Sequence, residues 1–193
     1  EAMALRGGTV LLSTDSEEIA AVARQGGIDV PYMRPAELAG DTTPSRDVVL
    51  HAMAWADANG IAFDCVVLLQ PTSPFRTAAD IVDAIDMWTP AIDMVVSVAP
   101  SDANPYYNLF ETDSDGMLRI CKGDGLYTRR QDAPKVWEYN GAVYVITPSS
   151  IKAAPMGAFP RRVPYVMPAE RSIDLDTLAD WQRAEQIIND RNS

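Results

Sequence analysis

Short, almost entirely apolar runs alternate along this chain with longer stretches that mix apolar and polar residues. An apolar run bounded by turn residues is typical of a strand buried on both faces, and an amphipathic stretch predicts a helix. The predicted strands lie at 9–13, 28–33, 66–69, 94–99 and 141–146. The predicted helices lie at 16–25, 45–59, 78–88 and 178–189, after a helix tail at 1–8. This alternation favours an α/β fold with a Rossmann-like, doubly wound and mostly parallel sheet.

The stretch 100–134 breaks this alternation and is richer in Asp, Gly, Asn and Tyr. The segments 109–111 and 117–120, each mostly apolar, bracket a turn sequence, Asp-Ser-Asp-Gly, which predicts a β-hairpin. We therefore predict one domain over 1–193 with a small antiparallel arm inserted at 100–134. A second copy of the chain could bury the arm's aromatic residues and give a homodimer. These residues are Tyr106, Tyr107, Phe110 and Tyr127. The alternative is a monomer whose arm folds back on its own sheet.

Size and charge limit the class of protein. The chain has 193 residues, of which 47% are hydrophobic, enough for one α/β domain. A net charge of −11 argues against a general nucleic-acid binder, which needs a basic face. No apolar run reaches membrane-spanning length and no signal-peptide pattern opens the chain, so we expect a soluble, cytoplasmic protein.

Cysteine and histidine chemistry is not expected. Cys65 and Cys121 are far apart in the sequence and lack the spacing of a zinc or redox site. His51, the only histidine of the chain, falls in a predicted helix without a partner motif. A Ser-His-Asp hydrolase is therefore hard to build from this sequence.

A polar loop follows the predicted strand at 66–69. Pro71 and Pro74 restrict its backbone, so Gln70, Thr72 and Ser73 are presented on a stiff segment at the carboxyl end of the strand. Ligands of open α/β sheets bind at that edge. The alternative is a rigid strand-to-helix turn whose polar groups are simply solvated.

Asp174 and Asp176 form a second candidate site. Two aspartates separated by one residue on an extended segment point the same way, and paired carboxylates suit Mg²⁺ shared with substrate phosphates. The alternative is a helix cap, because Asp176 or Thr177 could cap the helix predicted from Leu178. The residues alone leave these two interpretations equally open.

The loop belongs to a longer block, and this block carries a resemblance. Residues 68–76 read LLQPTSPFR and resemble the LLQPTSPLR block of the acylneuraminate cytidylyltransferases. Five more blocks match in the family's order, at 13–20, 34–39, 129–134, 139–144 and 172–177. Together the blocks cover nearly the whole chain. The resemblance implies a nucleotide-diphospho-sugar transferase type of fold, and an enzyme that activates sialic or related nonulosonic acids with CTP to give CMP-sugars.

The resemblance also implies roles for single residues. It assigns Mg²⁺ binding and catalysis to Asp174 and Asp176. It places four residues near the CTP: Arg34, Ser45, Thr72 and Ser73. It implies dimerisation through the arm.

The family's sugar-acid pocket matches four further positions: Gln70, Arg130, Asn140 and Tyr144. Gln70 lies near the sugar in the family and is counted with the catalytic residues. The guanidinium of Arg130 is a natural partner for the carboxylate of a nonulosonic acid. Tyr144 could instead be a core aromatic residue of its strand.

Two departures from the family pattern keep alternatives open. The family's phosphate loop after its first strand, a Gly-Ser-Lys-like stretch, has no counterpart here, so the chain is expected to begin partway into the fold. Glu138 stands where some members carry a basic residue, which leaves the sugar undecided. The alternatives are a nucleotide-sugar-binding or regulatory domain that has lost catalysis, and a cytidylyltransferase for another ulosonic acid such as Kdo.

Overall fold

The structure is a computed structural model that describes residues 8–40 and 42–191. The helix tail predicted at 1–8 lies, except for Gly8, outside these described residues. A four-stranded sheet forms the centre of the molecule, with the strands in the order β1, β5, β2, β6. They are β1 (Val66–Leu68), β2 (Met94–Pro100), β5 (Trp137–Ile146) and β6 (Arg162–Val166).

Strand direction in this sheet is mixed. β5 is antiparallel to both of its neighbours, β1 and β2, whereas β2 and β6 are parallel. Strands β1, β2 and β6 therefore share one direction, so the predicted α/β fold is confirmed and the sheet contains parallel strands. Two of the three ladders are nevertheless antiparallel, because β5 lies between two strands that point the opposite way.

The strands predicted at 9–13 and 28–33 are wrong. Within the described residues neither segment joins a strand ladder. A backbone hydrogen bond joins the residues that directly follow the two segments, from Arg34 N to Thr14 O at 2.8 Å. An apolar run marks a segment that can pair, but a strand forms only where a neighbour offers its backbone donors and acceptors.

The predicted helices are present to within a few residues. They are α1 (Glu17–Gln25), α2 (Ser45–Ala58), α3 (Ala78–Asp86) and α5 (Leu178–Arg191), with a short α4 (Pro148–Ala153) that the pattern did not indicate. Ser16 caps α1 through its side chain, as expected from its position. Thr77 and Asp80 form a reciprocal capping box at the start of α3.

Helices cover both faces of the sheet, so the doubly wound prediction is confirmed. Val49 and Met53 of α2 pack on one face against Met94 and Val96 of β2. On the other face α3 packs through Ile81 and Ala84 against Val95, Val143 and Val145. The neighbours Met94 and Val95 face opposite layers because strand side chains alternate with period two.

The predicted hairpin is present as a separate two-stranded sheet, β3 (Phe110–Thr112) and β4 (Leu118–Ile120). In its turn the carboxylate of Asp113 accepts hydrogen bonds from the Asp115 and Met117 amides. Large apolar side chains of the arm are exposed to solvent, among them Phe110 and Leu118. Pairing of the arm with a second copy stays a prediction. Over the described part of the chain, no helix combines the length and apolarity needed to cross a membrane.

Candidate active site

A bulge in β5 lies just beyond the carboxyl end of β1 and opposite the middle of β2. The pairing of β2 with β5 jumps from Val96–Tyr144 to Val98–Tyr139, so residues 140–143 of β5 lie opposite Ser97 alone. The Ser97 hydroxyl occupies the gap, accepting from Val143 N at 2.7 Å and donating to Asn140 Oδ1 at 2.6 Å. Bulges recur beside active sites because they redirect the backbone locally.

Gly141 in this bulge lies against three oxygen atoms from three separate segments. Its φ of +72° favours glycine. A Cβ at this position would lie 3.1 Å from Asp174 Oδ2, 3.2 Å from Ser73 Oγ and 3.4 Å from Gln70 Oε1. We call the side chains of Gln70, Ser73 and Asp174 the oxygen cluster. Three residues predicted for the site from sequence therefore meet at one glycine.

Hydrogen bonds hold the loop that carries Gln70 and Ser73 against β5. Arg76 Nη1 donates to Gln70 O at 2.6 Å and to Ala142 O at 3.0 Å. The Ser73 hydroxyl, fully buried, donates to Asn140 O at 3.2 Å. Arg76 is the last residue of the block at 68–76, and the resemblance assigns it no role. Its contacts show that it holds the loop against the bulge.

The segment that carries the paired aspartates lies against the same loop, because Leu175 N donates to Thr72 O at 2.9 Å. Asp174 Oδ1 is buried and has no hydrogen-bond partner among the described residues. An unpaired buried carboxylate oxygen is costly for the fold unless a ligand pairs with it. Asp176 is exposed.

The hydrogen bonds of Thr177 decide whether Asp176 or Thr177 caps α5. Asp180 N donates to Thr177 Oγ1 at 3.3 Å, and Thr177 N donates to Asp180 Oδ2 at 2.8 Å. Thr177 is therefore the cap of α5. Since Asp176 is not needed as a cap, both aspartates remain available to a ligand.

Asn140 is 4% exposed, and the protein uses all its side-chain hydrogen-bonding groups. Its Oδ1 accepts from Ser97 Oγ and Ala142 N, while its Nδ2 donates to Ser172 Oγ at 2.9 Å and to Met167 Sδ at 3.4 Å. These bonds tie the bulge to the segment that leads to Asp174. The predicted contact of Asn140 with the sugar stays a prediction.

Tyr144 fits the core interpretation and also lies near the site. Its ring is 8% exposed and belongs to the cluster that α2 covers. Burial, followed by the negative charge of Asp174 and the neighbouring Tyr139, raises the pKa of the Tyr144 hydroxyl. Its predicted role in sugar binding is not tested by these contacts.

The other predicted residues have different surroundings. Arg34 Nη2 donates to Asp15 Oδ1 at 2.8 Å, and this hydrogen bond lowers the pKa of the Asp15 carboxyl. Arg130, in the arm, forms an ion pair with Asp102. Ser45 is exposed at the start of α2. Within the described ranges, no hydrogen bond or ion pair joins Arg34, Ser45 or Arg130 to the oxygen cluster.

The donor set of the site fits a hard divalent cation. In the part of the chain that the structure describes, no three residues of the types His, Cys, Asp and Glu are grouped for metal binding. A cation here would rely on the two aspartates and on ligands from substrate, which is the usual arrangement for Mg²⁺. The unpaired Asp174 Oδ1 and the oxygen atoms that meet beside Gly141 are ligand types that suit such an ion.

The protein resembles known proteins over most of its length, although no protein-family model matches it. The flagellin modification protein B of Campylobacter coli is 28% identical over 194 residues, covering 95% of this chain and 78% of that protein. The CMP-N,N'-diacetyllegionaminic acid synthase of Legionella pneumophila is 31% identical over 183 residues, covering 93% of this chain and 77% of that protein.

A third relative and a solved structure extend the comparison. The N-acylneuraminate cytidylyltransferase of Escherichia coli is 30% identical over 95% of this chain, which spans 42% of that longer protein. A structure of CMP:2-keto-3-deoxy-manno-octonic acid synthetase complexed with CTP superposes with a TM-score of 0.63 at 14% identity. It covers 98% of this chain and 85% of the other, and it shows the shared fold. From the sequence relatives, the chain belongs to the acylneuraminate cytidylyltransferase family.

Proposed function

We propose that this protein is a cytidylyltransferase that joins CMP from CTP to a nonulosonic acid and releases pyrophosphate. The observation that carries the proposal is the oxygen cluster at Gly141, where Asp174 keeps a buried oxygen without a protein partner. Relatives named as CMP-sugar synthases, matched along nearly the whole chain, support the choice of reaction. Because CTP is the co-substrate, the proposal retains a cytoplasmic location.

The reaction is a substitution at the α-phosphorus of CTP. The anomeric hydroxyl oxygen of the sugar acid forms a bond to that phosphorus, and the bond to the oxygen that bridges to the β-phosphate breaks. The hydroxyl proton is lost and pyrophosphate leaves. Such transfers depend on positioning and on stabilising developing charge, so the protein's task is to hold two anionic substrates in line.

Asp174 and Asp176 are the proposed holders of a divalent cation, with Mg²⁺ as the expected ion. When bound, the cation supplies charge neutralisation at the phosphates. The chain's own part is to fix the carboxylates, through the Leu175–Thr72 backbone bond and the Thr177 cap. Gln70 Oε1 and Ser73 Oγ approach the same space, and we assign Gln70 to the sugar and Ser73 to the nucleotide.

The remaining predicted contacts belong to the same proposal. Arg34, Ser45 and Thr72 would contact the nucleotide. Arg130 would pair with the sugar carboxylate, since a guanidinium binds carboxylates in a bidentate way. Its partner Asp102 is exposed, so exchanging it for a substrate carboxylate needs little rearrangement.

We also propose a homodimer that forms through the arm. The arm exposes Phe110 and Leu118 on its two-stranded sheet and Leu126 after it. Burial of these side chains against a second copy would offset their exposure. Light scattering across a dilution series tests this, and a monomer mass at every concentration together with full activity would contradict it.

Pyrophosphate release tests the function itself. The purified protein is given CTP, Mg²⁺ and a panel of sugar acids: sialic, legionaminic and pseudaminic acids and Kdo. We expect turnover with at least one nonulosonic acid, and a strong loss in Asp174→Asn and Asp176→Asn. Asp57→Asn is the matched control, because Asp57 makes an exposed ion pair with Lys152.

Other results of the pyrophosphate assay would change or overturn the proposal. Turnover with Kdo alone would replace the nonulosonic acid with that sugar. CTP binding without turnover on any acid would favour the noncatalytic binding domain and overturn the proposed reaction. Unchanged activity of Asp176→Asn at saturating Mg²⁺ would refute the metal assignment.

A further inference from the structure

Asp80, near the start of α3, is a charged residue that the proposed chemistry does not use. It is 1% exposed, and its carboxylate accepts hydrogen bonds from three residues. Thr77 donates from its amide and hydroxyl at 2.8 Å each, Tyr165 from its hydroxyl at 3.0 Å, and Arg171 from Nε at 3.2 Å and Nη2 at 2.8 Å. Burial opposes ionisation of Asp80, but the bonds from Arg171, Thr77 and Tyr165 outweigh it and lower the pKa of its carboxyl.

The position of Arg171 gives this ion pair a direct connection to the site. Arg171 ends a single helical turn, Ala169–Arg171, that follows β6, and it precedes Asp174 by three residues. From Ser172 to Thr177 the chain is in neither helix nor strand. The location of Asp174 therefore depends on side-chain and backbone anchors rather than on a regular element.

Three anchors hold this stretch, each to a different part of the molecule. Arg171 contacts α3 through Asp80, Ser172 accepts from Asn140 of the bulge, and Leu175 N donates to the loop at Thr72. Only the first is a charged, bidentate contact, and such contacts are stronger and more directional than neutral ones. A planar guanidinium makes this two-point contact, which the point charge of a lysine does not reproduce.

We propose that Arg171 is a positioning residue: by binding Asp80 it fixes the segment that carries Asp174 and so sets the affinity of the site for its divalent cation. The inference rests on the proposed function for the presence of that cation. It goes beyond that function by assigning the cation's affinity to an ion pair whose two members lie outside the oxygen cluster. Groups that orient metal ligands commonly change metal affinity about 10–100-fold when they are removed.

A second buried aspartate with an arginine partner, Asp93 with Arg161, lies at the other end of the sheet and is a matched control for Asp80 with Arg171. Arg161 donates to Asp93 from Nη2 at 2.7 Å and from Nε at 3.3 Å, and Asp93 is 4% exposed. Asp93 precedes β2 and Arg161 precedes β6, so this pair lies at the amino ends of those strands. The five residues of β6 separate the two ends by about 17 Å at 3.3 Å per residue. This pair has the same chemistry but no connection to Asp174.

The test compares Arg171→Lys and Arg171→Met with Arg161→Lys and Arg161→Met in the full chain. Mn²⁺ alone is titrated into each protein, and the free ion is measured by its electron paramagnetic resonance signal, which needs no turnover. We expect a comparable fall in melting temperature, about 5 °C, in both Met variants. Only the Arg171 variants should weaken Mn²⁺ binding, by about 10-fold or more, with Lys less affected than Met.

Kinetics and a double variant sharpen the result. In Arg171→Lys, the metal concentration for half-maximal rate should rise while turnover at saturating metal stays within about threefold. In an Asp174→Asn background, Arg171→Lys should change Mn²⁺ binding no further, because the ligand that it positions is already altered.

Equal effects of the Arg171 and Arg161 variants on Mn²⁺ affinity would show a purely structural role and overturn the inference. So would unchanged affinity in Arg171→Met, or a wild-type protein that does not bind Mn²⁺. A wild-type protein that binds Mn²⁺ but does not use CTP would refute the proposed function, while the Mn²⁺ titrations would still decide the role of Arg171.

Discussion

The two ends of the central sheet each hold an aspartate withdrawn from solvent, but the two carboxylates are satisfied to different degrees. At the amino end, Asp93 accepts from Ser150 Oγ at 2.8 Å, from the Arg161 guanidinium and from Arg161 N at 2.9 Å. At the carboxyl end, Asp174 has one buried oxygen with no partner in the described chain. The fold satisfies the first carboxylate, whereas the second keeps an unpaired oxygen that the proposed ligand would contact.

The surroundings of the two carboxylates also differ. The site end combines a bulge, a glycine with positive φ and a convergence of oxygen atoms. The bulge and this glycine bring oxygen atoms from three segments together beside Asp174. Asp80 and Asn140 near this end are paired, so the unpaired oxygen of Asp174 is what distinguishes it from the end that holds Asp93.

The largest expected effect is on turnover, and it distinguishes Asp174 from Asp93. Asp174→Asn should lower turnover by about 1,000-fold, because it removes a carboxylate that would hold the cation needed to neutralise the phosphate charge. Its melting temperature should stay the same or rise, since a neutral amide tolerates an unpaired position better than a carboxylate. Asp93→Asn should do the reverse, lowering the melting temperature and leaving turnover per folded molecule unchanged. Steady-state rates and thermal unfolding of both variants measure this, and loss of activity in both would remove the distinction.

A second expected effect concerns the close approach at Gly141. Gly141→Ala should lower turnover by about 10–100-fold, because its Cβ would meet the oxygen cluster at 3.1–3.4 Å. Gly116→Ala in the arm is the matched control, with a φ of +79° and open space around the added Cβ. Both variants should lose about 1–2 kcal/mol of unfolding free energy from left-handed strain. If Gly116→Ala lost as much activity, crowding of the cluster could not be the cause.

A smaller expected effect concerns Ser97, which completes the bulge. Ser97→Ala should lower the free energy of unfolding by about 1–3 kcal/mol, since it leaves Val143 N and Asn140 Oδ1 without this partner. Turnover should also fall, by about fivefold to tenfold, because the bulge positions Gly141. Ser150→Ala, at the amino end, should lower stability without this loss of turnover. Urea unfolding and initial rates of the two variants provide the comparison.

The smallest expected effect is a pH dependence that belongs to the supporting pairs. Hydrogen bonds from Arg161, followed by Ser150, lower the pKa of the Asp93 carboxyl below its ordinary 3.8. A lowered folded-state pKa means that this stabilisation is fully present above pH 3.8 and is lost as the pH falls further. Urea unfolding below pH 4 should therefore show a steep loss of stability in the wild type and a shallower loss in Asp93→Asn. Equal slopes would show that Asp93 does not contribute to acid unfolding.

Much of the local structure could be predicted because its causes are local. Ser16 before α1 accepts a hydrogen bond from an amide three residues away. The hairpin turn at Asp113 is likewise closed within its own few residues. The strand at Val66 was predicted from its apolar run, and the resemblance picked out Gln70, Ser73 and Asp174, which the fold brings together.

Other features depended on partners far away in the chain. The apolar runs at 9–13 and 28–33 had the composition of strands, yet pairing needs a neighbouring backbone that composition does not specify. Arg171 and Asp80 are separated by 91 positions, and nothing in either local sequence indicates the contact. The sequence predicted no role for Arg76, and only the structure shows that it donates hydrogen bonds to Gln70 O and Ala142 O.

The sequence by itself determined where α1, α2, α3 and α5 begin and where the hairpin turns, because caps, turns and apolar periodicity act over a few residues. The residues of the candidate site were identified from the sequence through the family resemblance. The tertiary structure decided that β5 runs between β1 and β2, that Gly141 approaches three oxygen atoms, and that the other carboxylate oxygen of Asp174 is buried without a partner in the described chain. The physical reason is that hydrogen-bond satisfaction and packing are properties of the whole fold. They depend on atoms that meet only after segments distant in the chain have been brought together.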